Sequence, residues 1–515
     1  MKKPIKWLQE EIHSRVLPPL PGLRIWKHSV ESCVIQGWMG IWVSTAELAW
    51  AVAHEWWIWI LSGGAIHMIP KYRKYRVNLI KEAKEAAGGK LSKEESRRLF
   101  KEANIYCIKE EIRQAKEISQ WNGKIFINIM VASKDYNDCI RAACDAGVDG
   151  IASGAGIPYH LPKLTSEYPD VALVPILSRQ RWVEVLMKKW DQSFEVESKI
   201  GENSITTING QKIENRKWEL FQENWTKISP MISGEISMIR VGDREYNYSI
   251  DEKSNVVLKK TYPWKKPDAI VIEGADKWWW HLWAIGGKLS EVDNPETSLE
   301  VAIPATVEYL KQEGLDIPVI AAWWIVNRQD IDKQLASWAC WAQIWSLFLI
   351  TEESNAHPLF KNNVINAEPK DVGIYNSSAI YPARYLIKSL NGVDIKGIIA
   401  EWKKCLDECL NHCALRDWIS WYAQICIKEK LIQSTKWSSG KGLKFVWRPF
   451  NKEWRNKITE LISEGDLGWT SRITFPTVKE VMELLQKGKK KSDLQPIVKE
   501  KIQKLFTYIS QKGVA

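Results

Sequence analysis

Short runs of apolar and β-branched residues that end in small residues recur between residues 33 and 350. Amphipathic stretches with apolar residues at helical spacing separate them, for example at 44–55, 134–147, 179–190, 298–314 and 327–339. The eight apolar runs occupy 33–40, 57–64, 124–132, 150–156, 172–178, 269–275, 317–324 and 342–350. Strands that alternate with helices form parallel βαβ units. Eight such units predict an α/β fold, the closed (β/α)8 TIM barrel.

Two segments interrupt this alternation. Residues 67–121 replace a short connection with a Lys- and Glu-rich helical excursion, and residues 192–262 form a polar insertion whose alternating pattern predicts a β-rich structure. Beyond residue 365 the pattern is that of amphipathic helices. We therefore expect a barrel over 18–365 and a mostly helical C-terminal region over 366–515.

Composition and charge exclude several classes of protein. The 515 residues are 45% hydrophobic and 26% charged, as in a globular protein. The net charge of +10 lies partly in runs such as 487–491, which are typical of a solvated surface and do not predict nucleic-acid binding. The most aromatic segment is interrupted by Glu47, His54 and Glu55, so it does not predict a membrane span. The N-terminus has no apolar signal-peptide core, and we expect a cytoplasmic protein.

The nine cysteines are scattered, apart from Cys405, Cys409 and Cys413. Their spacing places three thiols along one stripe of a helix, which could suggest a metal. No fourth ligand with the spacing of a zinc ribbon or finger follows. Packing of a helix face is the favoured interpretation, and we predict no metal site.

Tryptophan is anomalously frequent and occupies positions that suit glycine. The chain has 30 Trp and 29 Gly, whereas a chain of this length ordinarily holds roughly 36 glycines. Many tryptophans stand where predicted strands end, as in GWMG (37–40), ADKWWWHLW (275–283) and AAWW (321–324). Backbones turn tightly and approach ligands closely at such ends, which requires glycine. We interpret these residues as glycines whose UGA codons were translated as tryptophan, with some tryptophans, such as Trp190, genuine.

With glycine at these positions, the chain resembles the nitronate monooxygenase (2-nitropropane dioxygenase-like) family. These are FMN-dependent TIM barrels that also include the flavin-type enoyl-ACP reductases. The resemblance covers nearly all of 18–365 outside the insertion and continues weakly through CLNHC (409–413) and TVKEVMELL (477–485). It implies an FMN cofactor and a small-molecule substrate, with neither nucleic acid nor membrane as a partner.

The FMN phosphate is expected after the seventh and eighth strands. TIM barrels bind phosphates there through backbone N–H groups and small hydroxyl residues. The residues at these two places are Trp323, Trp324, Gln343, Ile344, Trp345 and Ser346. The three tryptophans would be glycines that donate their N–H groups, and Ser346 matches the family's threonine.

The flavin ring is expected over the ends of the early strands. The resemblance places Gln36, Gly37, Trp38 and Met39 against the ring through backbone contacts, and Ser153, Gly154 and Ala155 near its edge. Asn128 would be its side-chain hydrogen-bond partner. Since a buried amide must find partners, either a ligand or a structural hydrogen bond accounts for Asn128.

His281 is the candidate catalytic residue. It matches the histidine of an AGGH-type motif, in the run that includes the cofactor-contacting Trp279 and Trp280. An imidazole can take a proton from an acidic carbon substrate or position that substrate, although a structural histidine is the alternative. Glu273 is also expected near the flavin, but many relatives have Gln there and the loop to His281 is one residue longer than their commonest form.

The resemblance implies oxidative denitrification of alkyl nitronates with O2 to a carbonyl compound and nitrite. The alternative is an enoyl-ACP reductase that uses NAD(P)H, since both share the phosphate loops and the histidine. A barrel without catalysis becomes the leading hypothesis if the tryptophans are genuine, because indoles would then fill the cofactor site. A homo-oligomer is compatible with the sequence, which does not decide the oligomeric state.

Overall fold

The computed structural model describes most of the chain between residues 23 and 486. The described ranges are 23–25, 28–30, 34–37, 43–54, 58–118, 124–191, 194–208, 211–216, 219–222, 227–229, 231–233, 236–241, 244–251, 255–262, 265–274, 296, 298–322, 325–376, 382–386, 405, 408–417, 426–438, 440, 442, 444, 449–466 and 471–486.

The first part of the chain supplies a short hairpin, five barrel strands and six helices. The strands are β1 (Leu23–Ile25), β2 (His28–Val30), β3 (Val34–Gln36), β4 (Ile58–Ser62), β5 (Lys124–Asn128), β6 (Gly150–Ser153) and β7 (Ala172–Leu177). The helices are α1 (Ala46–His54), α2 (Arg73–Ala86), α3 (Lys93–Ile118), α4 (Tyr136–Asp145), α5 (Leu161–Leu164) and α6 (Gln180–Trp190). Helices α2 and α3 lie in the excursion after β4.

In its described residues the insertion consists of β-strands joined by turns and short irregular stretches. It comprises β8 (Phe194–Ile200), β9 (Ile205–Ile208), β10 (Gln211–Arg216), β11 (Glu219–Gln222), β12 (Lys227–Ile228), β13 (Met231–Ser233), β14 (Ile236–Val241), β15 (Arg244–Ile250) and β16 (Val256–Tyr262). These strands form one antiparallel sheet of four and another of five. They share a small apolar core of their own, which includes Ile213, Ile239 and Leu258. The predicted β-rich character of the insertion is confirmed.

The second part of the barrel follows the insertion. It contains β17 (Ile270–Glu273), α7 (Leu299–Gln312), β18 (Val319–Ala322), α8 (Arg328–Ala336), β19 (Trp341–Ile344), α9 (Ser346–Leu349) and α10 (Pro358–Ile365). The eight barrel strands close in the order β17-β18-β19-β3-β4-β5-β6-β7. Every β7 and β17 residue is buried, which explains the continuous apolar runs in the sequence. The predicted (β/α)8 barrel and its eight strands are confirmed.

Parallel strands place all their carboxyl ends at one rim of the barrel. The insertion joins α6 to β17, a helix-to-strand connection, so it leaves from the opposite rim. Consistent with this, Tyr246 Oη of the insertion lies 3.3 Å from Glu167 Oε1, in the connection that leads into β7. The insertion is therefore placed away from the end of the barrel where TIM-barrel active sites are built.

The C-terminal region mixes helices with hairpins. Helices α11 (Ile427–Ile432), α12 (Lys452–Glu460) and α13 (Val478–Gln486) accompany β20 (Val372–Asn376), β21 (Pro382–Leu386), β22 (Ser463–Asp466) and β23 (Ser471–Thr474). The predicted helices are present. The two hairpins were not predicted, because their short strands lack a clear apolar alternation. Helix α13 packs on the barrel, where Val478 N–H donates to the Glu353 carboxylate at 3.0 Å.

The predicted helical stripe of cysteines is wrong. Cys409 and Cys413 lie in a segment of turns, and Leu410 between them forms an antiparallel β-bridge with Ser133. The backbone on either side of Leu410 bonds to the loop after β5, where Asn411 N–H donates to the Ala132 carbonyl at 2.9 Å, and this long-range pairing takes the place of a helix. In the described part of the chain, no helix combines the length and apolarity required to cross a membrane.

Candidate active site

The predicted cofactor residues that are described lie at the carboxyl ends of five barrel strands. Gln36, Asn128, Ser153 and Glu273 are the last residues of β3, β5, β6 and β17, and Gln343 and Ile344 end β19. Seven predicted residues lie outside the described part of the chain: Trp38, Met39, Trp279, Trp280, His281, Trp323 and Trp324. The fold therefore brings the described candidates to one rim.

Three of these residues carry buried polar atoms that have no hydrogen-bond partner among the described residues. They are Asn128 Nδ2, Gln343 Nε2 and Ser346 Oγ. All three side chains are buried, Ser346 with 1% of its surface exposed. A buried donor without a hydrogen-bond partner costs about 1–3 kcal/mol. Three such donors at one rim are therefore expected where a bound ligand supplies the hydrogen-bond acceptors. The side chains fit a polar cofactor that spans this rim.

Ser346 and Gln343 belong to the β19 side of the rim. Ser346 is the first residue of α9, directly after the strand and the single residue Trp345. Trp345 has φ −117° and ψ −56°, a conformation that does not require glycine. By contrast, the start of α8 is already capped, because the Asn327 side chain accepts a hydrogen bond from Asp330 N–H at 2.8 Å.

The polar groups of Gln36 and Gly37 are used inside the fold. Gln36 Nε2 donates to Ser44 Oγ at 3.1 Å and to the Gly37 carbonyl, and Gln36 Oε1 accepts from Ile60 N–H at 3.3 Å. Gly37 N–H donates to the Ile344 carbonyl at 2.6 Å. A β-carbon at Gly37 would lie 3.0 Å from that oxygen, so glycine permits the close approach of β3 and β19. Contacts of Gly37 with a cofactor are therefore limited to packing.

Ser153, Gly154 and Ala155 form a tight turn. Ser153 Oγ donates to the Ile129 carbonyl at 3.0 Å and lies 2.8 Å from Tyr136 Oη. Burial raises the pKa of the Tyr136 phenol, which keeps it neutral. Ala155 takes the left-handed φ of 57°. Because the Ser153 hydroxyl is already bonded, the turn shapes the rim and leaves Asn128 as the open donor on this side.

His67 is a buried residue at this rim that the sequence analysis left without a role. It lies in a 3-10 turn (Ile66–Met68) after β4, and its Nδ1 is 3.3 Å from Asn104 Oδ1. Its Nε2 has no hydrogen-bond partner in the ranges that the structure describes. Burial and nearby Lys428 lower the His67 pKa to about 3, so the imidazole is neutral. The contacts with Asn104 and Lys428 are long-range, and local sequence carries no signal for them.

Two described tryptophans have opposite environments. Trp338 follows α8 with φ 71° and an indole that is 48% exposed. The backbone N–H of Trp338 donates to the Leu335 carbonyl at 3.2 Å. This is the geometry that ends a helix, and glycine usually supplies its left-handed residue. Trp190 is buried, and its indole N–H donates to the Pro158 carbonyl at 3.2 Å. The backbone conformation at Trp338 is one that glycine favours, whereas at Trp190 the indole itself is buried and hydrogen-bonded.

The closed barrel of eight parallel strands makes the protein a TIM barrel, and the polar groups without a described partner at its carboxyl rim mark the candidate site. Within this barrel, residues 250–434 match the nitronate monooxygenase family model. A probable nitronate monooxygenase of Bacillus subtilis (strain 168) is 31% identical over 90 residues, which are 18% of this chain and 22% of the relative. This match thus spans about a fifth of the curated relative's length. The resemblance inferred from the sequence is therefore confirmed over residues 250–434, which are similar to this family.

Solved structures also resemble the chain. FabK from Thermotoga maritima has a TM-score of 0.45 at 14% identity, with 93% of this chain and 96% of that chain covered. A nitroalkane oxidase from Streptomyces ansochromogenes has a TM-score of 0.39 at 14% identity, with coverage of 72% and 77%. The closed barrel, rather than these similarities, defines the fold.

Proposed function

We propose that this protein is an FMN-dependent oxidoreductase that oxidatively denitrifies alkyl nitronates. With O2, the products would be a carbonyl compound and nitrite. The observation that carries the proposal is the set of buried polar atoms on Asn128, Gln343 and Ser346 that have no partner within the described part of the chain. The family match supports the same chemistry, because residues 250–434 include β17, β18, β19 and α9.

The described side chains fit FMN in two places along the rim. Ser346 and Gln343 would hold the phosphate end, as expected after the last strands of a TIM barrel. Asn128 would bond to the polar edge of the ring. When bound, FMN supplies one-electron and hydride redox chemistry. His281 would position the nitronate, whose carbon has already lost its acidic proton, or take that proton where the neutral nitro compound is bound.

The cofactor site requires small residues at the strand ends. We therefore propose that Trp38, Trp278 to Trp280, Trp323, Trp324 and Trp345 are glycines in the native protein. The glycine-like backbone of the neighbouring Trp338 supports a general misreading of one codon. Peptide mass spectrometry of protein from the native host tests this, and tryptophan masses at 278–280 would overturn it.

The test of function uses a strand-end glycine variant, in which those seven tryptophans are replaced by glycine. We expect this variant to bind FMN and to release nitrite from propionate 3-nitronate without NADH. Rapid reduction by NADH with turnover of an enoyl thioester, and no nitrite, would contradict denitrification.

Two serine variants test which residues bind FMN, one at the candidate site and one outside it as a control. Ser346→Ala in the strand-end glycine variant should weaken FMN binding, because it removes a buried hydroxyl that no described residue pairs with. Ser337→Ala should leave binding unchanged, because the Ser337 hydroxyl already donates to the Lys333 carbonyl at 3.1 Å. Equal binding by both variants would remove Ser346 from the site.

A further inference from the structure

Residues 408–417 of the C-terminal region lie against the loop of residues 129–135, and we call these two segments the brace and the rim loop. The rim loop begins directly after Asn128, at the carboxyl end of β5. An antiparallel bridge between Leu410 and Ser133 joins the two segments. The backbone hydrogen bonds on either side of it measure 3.2 and 2.9 Å. A distant part of the chain is therefore fixed at the rim of the barrel.

Arg416 stiffens the brace from within. Its guanidinium donates to the carbonyls of Leu410 and Asn411, both at 2.7 Å, and pairs with the Asp417 carboxylate at 2.6 Å. The Asp417 carboxylate also accepts a hydrogen bond from the Cys413 N–H at 3.0 Å. Because its carbonyls and side chains bond to one another, the brace is a folded turn that can hold the rim loop in one position.

The rim loop also contacts the turn after β6. Val131 N–H donates to the Gly154 carbonyl at 2.8 Å. On the side of β4, the atom nearest to a β-carbon at Gly64 would be Met130 Cε at 3.9 Å. Met130 and Val131 thus lie between residues that follow β4 and β6, directly after Asn128 in sequence. The rim loop therefore forms a wall of the candidate site on the side of Asn128.

Glu408 anchors the brace through its carboxylate. It pairs with Lys134 of the rim loop and with Lys93 at the start of α3, both at 2.5 Å, and Arg97 Nε lies 3.6 Å away. Arg97 in turn pairs with Asp135 of the rim loop at 2.9 Å. The Glu408 side chain is only 12% exposed, so salt screens these pairs less than pairs on an open surface. Hydrogen bonds from Lys134 and Lys93 lower the pKa of Glu408 to about 2, which keeps its carboxylate charged.

The backbone at Glu408 does not favour glutamate. Its φ of 44° lies in the left-handed region, where a residue with a β-carbon is disfavoured and glycine is not. Glutamate at this position is therefore explained by its carboxylate and the cations around it rather than by the turn.

We propose that Glu408 is a positioning residue of the candidate site, which acts through the brace to fix the rim loop and the wall beside Asn128. The proposal rests on the proposed function, because Asn128 is the residue expected to bond to the flavin ring. It adds a part of the C-terminal region to a site otherwise built from the ends of barrel strands.

The first test is amide hydrogen exchange in Glu408→Gln, made in the strand-end glycine variant. The N–H groups of Lys134 and Asn411 donate across the two segments, so loss of the anchor should speed their exchange about fivefold. Glu453→Gln is the matched control, because it removes an ion pair with Lys457 at 2.6 Å within α12. This control should leave both amides unchanged. Equal exchange in the two glutamate variants would overturn the proposal.

The second test is the binding and absorption spectrum of FMN in the same variants. Glu408→Gln should weaken FMN binding severalfold and shift the long-wavelength band of the bound flavin, because the wall beside the ring moves. Glu408→Asp should restore both in part, since it keeps the carboxylate. A merely structural role would lower the thermal midpoint without changing the spectrum. Unchanged affinity and spectrum in Glu408→Gln would overturn the positioning role.

Failure of the proposed function gives a different result. If the strand-end glycine variant binds no FMN, faster exchange in Glu408→Gln still assigns Glu408 to the anchoring of the rim loop, and unchanged exchange removes it. Circular dichroism checks that Glu408→Gln is folded. If it is not, Lys93→Gln, at a position that is 43% exposed, removes one partner of the carboxylate and should speed the same two amides. Unchanged exchange in Lys93→Gln would then overturn the proposal.

Discussion

Replacement of Trp338 by glycine should stabilise the end of α8. A residue with a β-carbon in the left-handed region costs about 1–2 kcal/mol, and Trp338 has φ 71°. Glycine enters this region freely, although its greater freedom in the unfolded chain offsets part of the gain. Because the indole is 48% exposed, its removal loses little apolar burial. We expect a net local stabilisation of about 1 kcal/mol for Trp338→Gly.

Amide hydrogen exchange measures this change where it occurs. The N–H groups of Trp338 and Ala339 donate to the carbonyls of Leu335 and Gln334 at 3.2 and 3.1 Å. A local stabilisation of this size slows hydrogen exchange that requires local opening of the helix end by a factor of about five. Trp338→Ala retains the β-carbon and should not show the slowing. Exchange in Trp338→Gly that is as fast as in Trp338→Ala would refute the reasoning.

Trp190→Gly supplies the opposite control. Trp190 is 2% exposed and its indole is hydrogen-bonded. Loss of a buried tryptophan costs about 3–5 kcal/mol, so the thermal midpoint should fall clearly. A stabilising effect at both positions would mean that backbone conformation does not distinguish misread glycines from genuine tryptophans.

Three further predictions concern the rim. Gly63→Ala should lower the free energy of unfolding by about 1–3 kcal/mol, because the new β-carbon would lie 2.8 Å from the Asn128 carbonyl oxygen. Gly64→Ala, whose β-carbon would have its nearest neighbouring atom 3.9 Å away, should leave it unchanged; urea denaturation measures both. His67 has a pKa lowered to about 3, so the unfolded state binds an extra proton between about pH 6.5 and 3. The free energy of unfolding should therefore fall as the pH falls through that range. His67→Phe should flatten this pH dependence, and an unchanged dependence would contradict the role of His67. Lys361 has a pKa lowered to about 8, so stability should rise from about pH 8 to 10.5, and a Lys361→Met variant that retains the same rise would exclude Lys361 as its source.

The barrel could be predicted from sequence because its strands are buried on both faces. Each run then reads as continuously apolar, and the amphipathic helices between the runs fix the parallel topology. The same rule placed Asn128, Glu273 and Gln343 at one rim, since residues that end parallel strands meet there. Local pattern was sufficient for this part of the site.

Contacts between distant segments were not predictable in the same way. No local pattern shows that the Gln36 side chain hydrogen-bonds to Ser44 and Ile60, or that the Gly37 N–H donates to the carbonyl at the end of β19. The helical spacing of Cys409 and Cys413 was misleading because Leu410 pairs with Ser133. In each case the partner lies in a separate element, and only the closed barrel brings the two together.

Binding of FMN tests the central claim most directly. The strand-end glycine variant, freed of flavin, can be titrated with FMN while flavin fluorescence is followed. We predict saturable binding of one FMN per chain that is weakened by Ser346→Ala and unaffected by Ser337→Ala. A folded variant that leaves FMN fluorescence and absorbance unchanged throughout the titration would contradict the assignment of the barrel rim as a flavin site.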